Sequence, residues 1–252
     1  MIDISSGDAR LDRFLGGGYL RILGMSSRFA AAICGRLIRH QTALGITGDL
    51  AEIGTFEGRF FVAMAMVLAK GEHALGIDVF TWPSAAVYDH LVANCAAAGL
   101  DPQSYTAWKV DTGKITAAQL HAKLPAGNAR FIHVDGEHSP DCLARDLELA
   151  LAVLHPDGVI VLDDMLHPGY PTLITTVIAF LERHPEMRVM CIVDRETITA
   201  AAKFMICRAP CVEKYQHALM VDFAPFHYLL GADVMGHASL VLTPDPTLPR
   251  VE

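Results

Sequence analysis

The chain has no surplus of basic residues. Its 20 lysines and arginines stand against 28 aspartates and glutamates, a formal net charge of -8, so no broad positive footprint exists for nucleic acid or an anionic membrane surface. No apolar run is long and charge-free enough to span a bilayer, and Met1-Ile2-Asp3-Ile4 lacks the basic-then-apolar order of a secretory signal. The expectation is a cytoplasmic chain with no membrane partner. Cys-x-x-Cys pairs are also missing: the six cysteines (Cys34, Cys95, Cys142, Cys191, Cys207, Cys211) are scattered, which reads as buried reduced thiols and not as a zinc or disulfide framework. No repeat or low-complexity tract appears. A small-molecule partner is the class these absences leave.

What is present is length and apolar content. With 252 residues, 52% of them hydrophobic and 19% charged, the chain can bury a sizeable core in one large α/β domain. Residues 1–24 read as irregular around Gly16-Gly17-Gly18, and a helix is expected from Arg28 to Thr42 after an N-cap at Ser26 or Ser27. From there strands and helices alternate: strand 49–53, helix 59–69, strand 73–78, helix 85–98, strand 105–110, helix 116–123, strand 129–134, helix 140–154, strand 158–162, and a helix over about 170–183 with Pro171 in its first turn. Alternation of this kind specifies a doubly wound, mostly parallel sheet with helices on both faces. The runs 187–193 and 200–208 are joined by six residues, too few for a helical crossover, so the last strand is reversed. The expected fold is a seven-stranded Rossmann-like sheet, divided as an N-terminal segment and helix (1–47) that covers the site, a binding domain (48–208) and an unplaced C-terminal extension (209–252). The hydrophobic fraction and that extension are compatible with a homo-oligomer.

The residues with chemistry sit at strand ends. Glu52-Ile53-Gly54-Thr55-Phe56-Glu57-Gly58 leads from a strand into a helix N-terminus; Gly54 permits a sharp turn and close ligand approach, and Gly58 lets the helix start near the strand. Phe56 fills the second glycine position of a dinucleotide fingerprint, which argues against a pyrophosphate on this loop and against a nicotinamide-dependent dehydrogenase. Asp78 ends the next strand, where a carboxylate accepts hydrogen bonds from ribose hydroxyls. Asp111 ends the third and either holds an adenine amino group or caps a turn before Gly113. Two acidic patches, Asp135-Gly136-Glu137-His138 and Asp163-Asp164, follow apolar runs that read as neighbouring strands. Three carboxylates in one crevice call for a hard cation or raised pKa values, although each taken alone also suits a helix cap.

In Glu52-x-Gly54-x-x-x-Gly58, Asp78 and Val110-Asp111 the chain resembles the class I S-adenosylmethionine-dependent methyltransferases over roughly residues 48–208. The resemblance implies S-adenosylmethionine as cofactor, with Glu52, Gly54, Thr55 and Gly58 at its methionine part, Asp78 at the ribose, Asp111 at the adenine, Asp135 nearby, and Trp82 as a flank for the base. His133-Val134-Asp135-Gly136-Glu137-His138-Ser139 and Val161-Leu162-Asp163-Asp164 resemble a divalent-metal-dependent O-methyltransferase subgroup acting on sugars and other natural products. That resemblance implies Asp135, Asp163 and Asp164 as ligands of Mg2+ or another divalent cation, His138 as base, and a small-molecule hydroxyl as acceptor. Magnesium suits these roles chemically: it takes oxygen ligands at about 2.0–2.1 Å and keeps positions open for substrate oxygens. A metal-independent methyltransferase, in which His138 or proximity alone suffices, and a nucleoside-binding module without turnover remain as the other readings of the same residues. His133, inside a strand, is expected to be a packed core residue.

Overall fold

The computed structural model describes residues 4–248 and 250. Nine strands form one sheet in the order β3-β2-β1-β4-β5-β7-β6-β9-β8. They are β1 (Asp49–Ile53), β2 (Ala74–Asp78), β3 (Tyr105–Lys109), β4 (Ala129–Val134), β5 (Leu154–Met165), β6 (Met187–Val193), β7 (Ala202–Arg208), β8 (His227–Val234) and β9 (His237–Leu242). The pairs β1–β2, β1–β4, β2–β3 and β4–β5 are parallel, while β7 runs antiparallel to both β5 and β6, as the short 194–199 link requires.

Because successive side chains of a strand point to opposite faces, the apolar run in β5 divides cleanly. Val159 and Val161 join the core on one face and Ile160 and Leu162 the core on the other. Helices α1 (Ala9–Gly17), α2 (Arg28–Ala43), α3 (Arg59–Ala65), α4 (Val87–Ala97) and α8 (Val212–Asp222) cover the first face. Helices α5 (Ala117–His121), α6 (Pro140–Val153) and α7 (Leu173–Arg183) cover the second. Burial on both faces is what allows near-continuous apolar strands without polar alternation. Phe60, Phe61, Met64 and Met66 of the α3 segment are core packing, as their spacing suggests.

The sheet has nine strands where seven were expected. The difference lies in the C-terminal extension, which supplies α8 and the hairpin β8–β9; β9 pairs parallel to β6 through Cys191–Leu240 and its neighbours. Prolines at 210 and 225 open short 3-10 turns here and do not disrupt regular structure. The N-terminal segment also departs from expectation. Asp8 accepts from the N–H groups of Arg10 and Leu11 and so starts α1, whose Leu11 packs so close to Gly35 of α2 that a Cβ there would lie 2.3 Å from it. Pro171 precedes α7, whose N-cap is Thr172. No helix among the described residues is long and apolar enough to cross a membrane.

Candidate active site

A cleft of about 610 Å³ opens at the carboxyl ends of β1, β2, β3 and β4, within the volume range of small-molecule sites. Gly54, Asp78, Asp111, Asp135 and His138 line it, with Phe56, Trp82, Asp146 and Tyr170. Glu52, Thr55, Gly58, Asp163 and Asp164 lie outside that lining.

The glycine loop has two distinct constraints. Gly54 has φ +83, and a Cβ on it would fall 1.8 Å from the Asp135 carbonyl oxygen. The close approach that requires glycine is therefore made by the chain's own loop after β4. Gly58, at φ +84, caps α3, and a Cβ there would meet Leu91 at 2.3 Å. Phe56 itself adopts φ 51, uncommon for a bulky residue, and its N–H donates to Asp78 Oδ2 at 2.8 Å. Asp78 Oδ1 accepts from Phe80 N–H at 2.7 Å. The carboxylate thus ties the loops after β1 and β2 together while facing the cleft, and Trp82 stands over Phe56 with ring centroids 5.7 Å apart.

Asp111 caps the turn it opens, accepting from Gly113 N–H at 2.8 Å, and that bond lowers its pKa. It also borders the cleft, so the two readings of this residue coexist. Beside it, Asp146 of α6 is 2% exposed; burial pushes its carboxyl up to about 6, and its Oδ1 has no partner. Sequence reading passed over Asp146. The available signal was one acid on an otherwise apolar helix stripe with Leu143, Leu147 and Ala150.

Asp135, just after β4, and Asp163 and Asp164, inside a β5 that runs past its expected end at residue 162, form two overlapping groups with histidines, His133–Asp135–Asp163 and Asp135–His138–Asp164, each with ligand atoms within 4.8 Å of one another. Asp135 belongs to both. Burial and then the neighbouring Asp163 push its carboxyl up to about 8. His138 Nε2 stands 2.6 Å from Asp164 Oδ2 and 3.9 Å from Asp135 Oδ1, close but not aligned as a hydrogen bond. Burial opposes a charge on this ring, yet the two carboxylates raise its pKa to about 10. Tyr170 stacks on it with centroids 4.1 Å apart, and His167 stacks on the same tyrosine at 4.8 Å.

Asp163 is engaged differently. Its Oδ1 accepts from Asp164 N–H at 2.8 Å, and its Oδ2 contacts the ammonium of Lys203, which is 1% exposed on β7. Lys203 Nζ lies 3.0 Å from His133 Nε2, and His133 Nδ1 lies 2.8 Å from Glu52 Oε1. His133 is fully buried, in line with the core role expected of it, and Glu52 faces it inside the sheet with its Oε2 left without a partner. Sequence reading did not single out Lys203; its mark was a lone charge within the apolar run Ala202–Cys207. A divalent cation therefore suits Asp135 and Asp164, whose nearest cationic group is His138 with Lys203 acting from further off, better than it suits Asp163, which is in direct contact with an ammonium.

Residues 51–165 match a protein-family model described as "Methyltransferase domain". No curated protein matches the sequence. Among solved structures, an O-methyltransferase from Bacillus cereus in complex with SAH is similar at 16% identity and TM-score 0.55, covering 80% of this chain and 91% of that one. TomG, an O-methyltransferase from Streptomyces achromogenes involved in tomaymycin synthesis and solved with SAM, has 16% identity and TM-score 0.51 over 80% of this chain and 90% of its own. CalS11, a TDP-rhamnose 3'-O-methyltransferase of calicheamicin biosynthesis, has 16% identity and TM-score 0.54 over 79% and 91%. These likenesses are of fold. By the match over residues 51–165 and by this architecture, the chain is similar to the class I S-adenosylmethionine-dependent methyltransferases.

Proposed function

We propose that the protein binds S-adenosylmethionine in the cleft at the ends of β1–β4 and transfers its methyl group to a hydroxyl oxygen of a small molecule, a sugar or a secondary metabolite, with a divalent cation at Asp135 and Asp164. The observation that carries the reading is the adjacency of two features. A cleft walled by Asp78, Asp111 and the Gly54 loop meets, at Asp135, an acidic corner that also holds His138. The sugar and natural-product O-methyltransferases among the similar folds support the acceptor class.

In this reading the sulfonium cofactor supplies an electrophilic methyl, and a divalent cation supplies Lewis-acid polarisation of the acceptor oxygen. The chain's own residues orient and move a proton. Asp78 fixes the two loops against which a ribose rests. His138 would take the acceptor proton at Nε2 once a cation at Asp135 and Asp164 offset the carboxylate charge that raises its pKa. The rest of the catalysis is placement of the acceptor oxygen in line with the methyl carbon.

Calorimetry with S-adenosylmethionine, followed by product analysis on a panel of sugars and hydroxylated metabolites with and without EDTA, tests the proposal. Cofactor binding with methylated product that disappears in EDTA and returns with Mg2+ is the expected result. Full turnover in EDTA removes the cation, and binding without product across the panel leaves a nucleoside-binding module.

A further inference from the structure

Three acids converge at the floor of the cleft, and the chain places one buried lysine among them. Glu52, Asp163 and Lys203 lie on β1, β5 and β7 and Asp135 directly follows β4, four strands adjacent in the sheet. His133 cannot serve as the balancing charge. Its Nδ1–H points to Glu52 Oε1, which leaves Nε2 as an acceptor, and the group 3.0 Å from Nε2 is the Lys203 ammonium. An ammonium has only donors, so this tautomer satisfies both neighbours: Lys203 donates to neutral His133 and to Asp163. Phe60 closes the remaining side, with its ring centroid 4.9 Å from Nζ and its ring over His133 at 4.1 Å. The ammonium is enclosed, charged and fully used.

We propose that Lys203 is the resident cation of this corner: a positioning residue that holds Asp163 as its counterion and so confines divalent-cation binding to Asp135 and Asp164. The inference rests on the reading of the site as cation-dependent and corrects its ligand set. A buried ammonium in contact with Asp163 Oδ2 repels a dication from that oxygen, and Oδ1 is occupied by the N–H of Asp164. A lysine also does not dissociate, so the floor of the site keeps its geometry when no cation is present.

The test is Mn2+ titration of the full chain in saturating SAH, followed by electron paramagnetic resonance, with thermal melts on each variant. Lys203→Met frees Asp163 and is expected to bind Mn2+ at least tenfold more tightly than the wild type. The double variant Lys203→Met/Asp163→Asn removes the pair together, so that Asp163 is not left as an orphaned charge, and, once its melt shows it folded, is expected to bind Mn2+ within threefold of the wild type. A tenfold or greater loss in the double variant identifies Asp163 as a ligand and overturns the inference, as does a folded Lys203→Met protein with unchanged or weaker affinity. Mn2+ binding by Lys203→Met alone overturns the inference, since the native protein then has no cation site at Asp135 and Asp164. Failure of the wild type to bind SAH is a separate result, one that overturns the methyltransferase reading and not the ion pair.

Discussion

Glu52 and His133 are register partners across the parallel β1–β4 ladder, and their side chains meet at 2.8 Å inside the sheet. Through His133 the contact continues to Lys203 and Asp163, so a polar chain crosses the sheet between apolar neighbours. In such a network an unsatisfied member is costly, and Glu52 Oε2 has no partner. Replacing His133 with Leu leaves Lys203 and Glu52 without their shared partner. The Lys203–Asp163 ion pair stays in place, so the expected loss is that of leaving buried polar groups unsatisfied, about 1–3 kcal/mol of unfolding free energy. Urea denaturation checks it; a loss under about 0.5 kcal/mol shows the network is not coupled.

Gly54→Ala is expected to damage both fold and binding. The new methyl would collide with the Asp135 carbonyl, and φ +83 is costly for alanine, at about 1–3 kcal/mol for the conformation alone. Because the displaced carbonyl belongs to the loop that carries Asp135, SAH affinity should fall along with the melting temperature. A variant with wild-type affinity and stability would contradict the packing.

The pH dependence of stability follows from His138. Its folded pKa, about 10, lies above the ordinary histidine value of 6.5, so its contribution is complete below about pH 6.5 and is lost as pH rises toward 10. Asp135, raised to about 8, acts with the same sign, its proton being held more tightly in the folded state. Melting temperatures between pH 6 and 10 should therefore fall more steeply for the wild type than for His138→Gln. Parallel curves would remove His138 from the ion pair with Asp164.

Five of the six cysteines are buried, and Cys142 alone among them is partly open, on the cleft wall. Burial raises the thiol pKa of Cys34 and Cys95 to about 12, which suppresses their thiolate form. Native protein should react with one equivalent of a maleimide, at Cys142, and saturating SAH should slow that reaction at least tenfold. Labelling unaffected by SAH would place the cofactor elsewhere.

The central sheet was legible because it is built from period and punctuation. Both bounds of β1 and of β4, and the reversed β7, follow from apolar runs and the lengths of their connections. The hairpin β8–β9 was not, because Gly231 and the Met235-Gly236 turn interrupt strands that are half exposed at an edge and carry little apolar signal. At the site, the acids at strand ends were visible as residue types in sequence. Which acid faces which cation was not. Lys203 is seventy residues from His133 and forty from Asp163 in sequence, and only the β5–β7 pairing, Leu162 opposite Phe204, brings it to the rim. The positive φ of Phe56 and of Asp164 likewise depends on tertiary packing that local propensity does not encode.

The parallel pairing of β9 with β6 sets an order of events during synthesis. Cys191 must wait for Leu240, about fifty residues later, before its edge is covered, and an uncovered strand edge is a template for pairing with other chains. While the nascent chain grows, the outer edge of β6 thus stays open until the β8–β9 hairpin has been made.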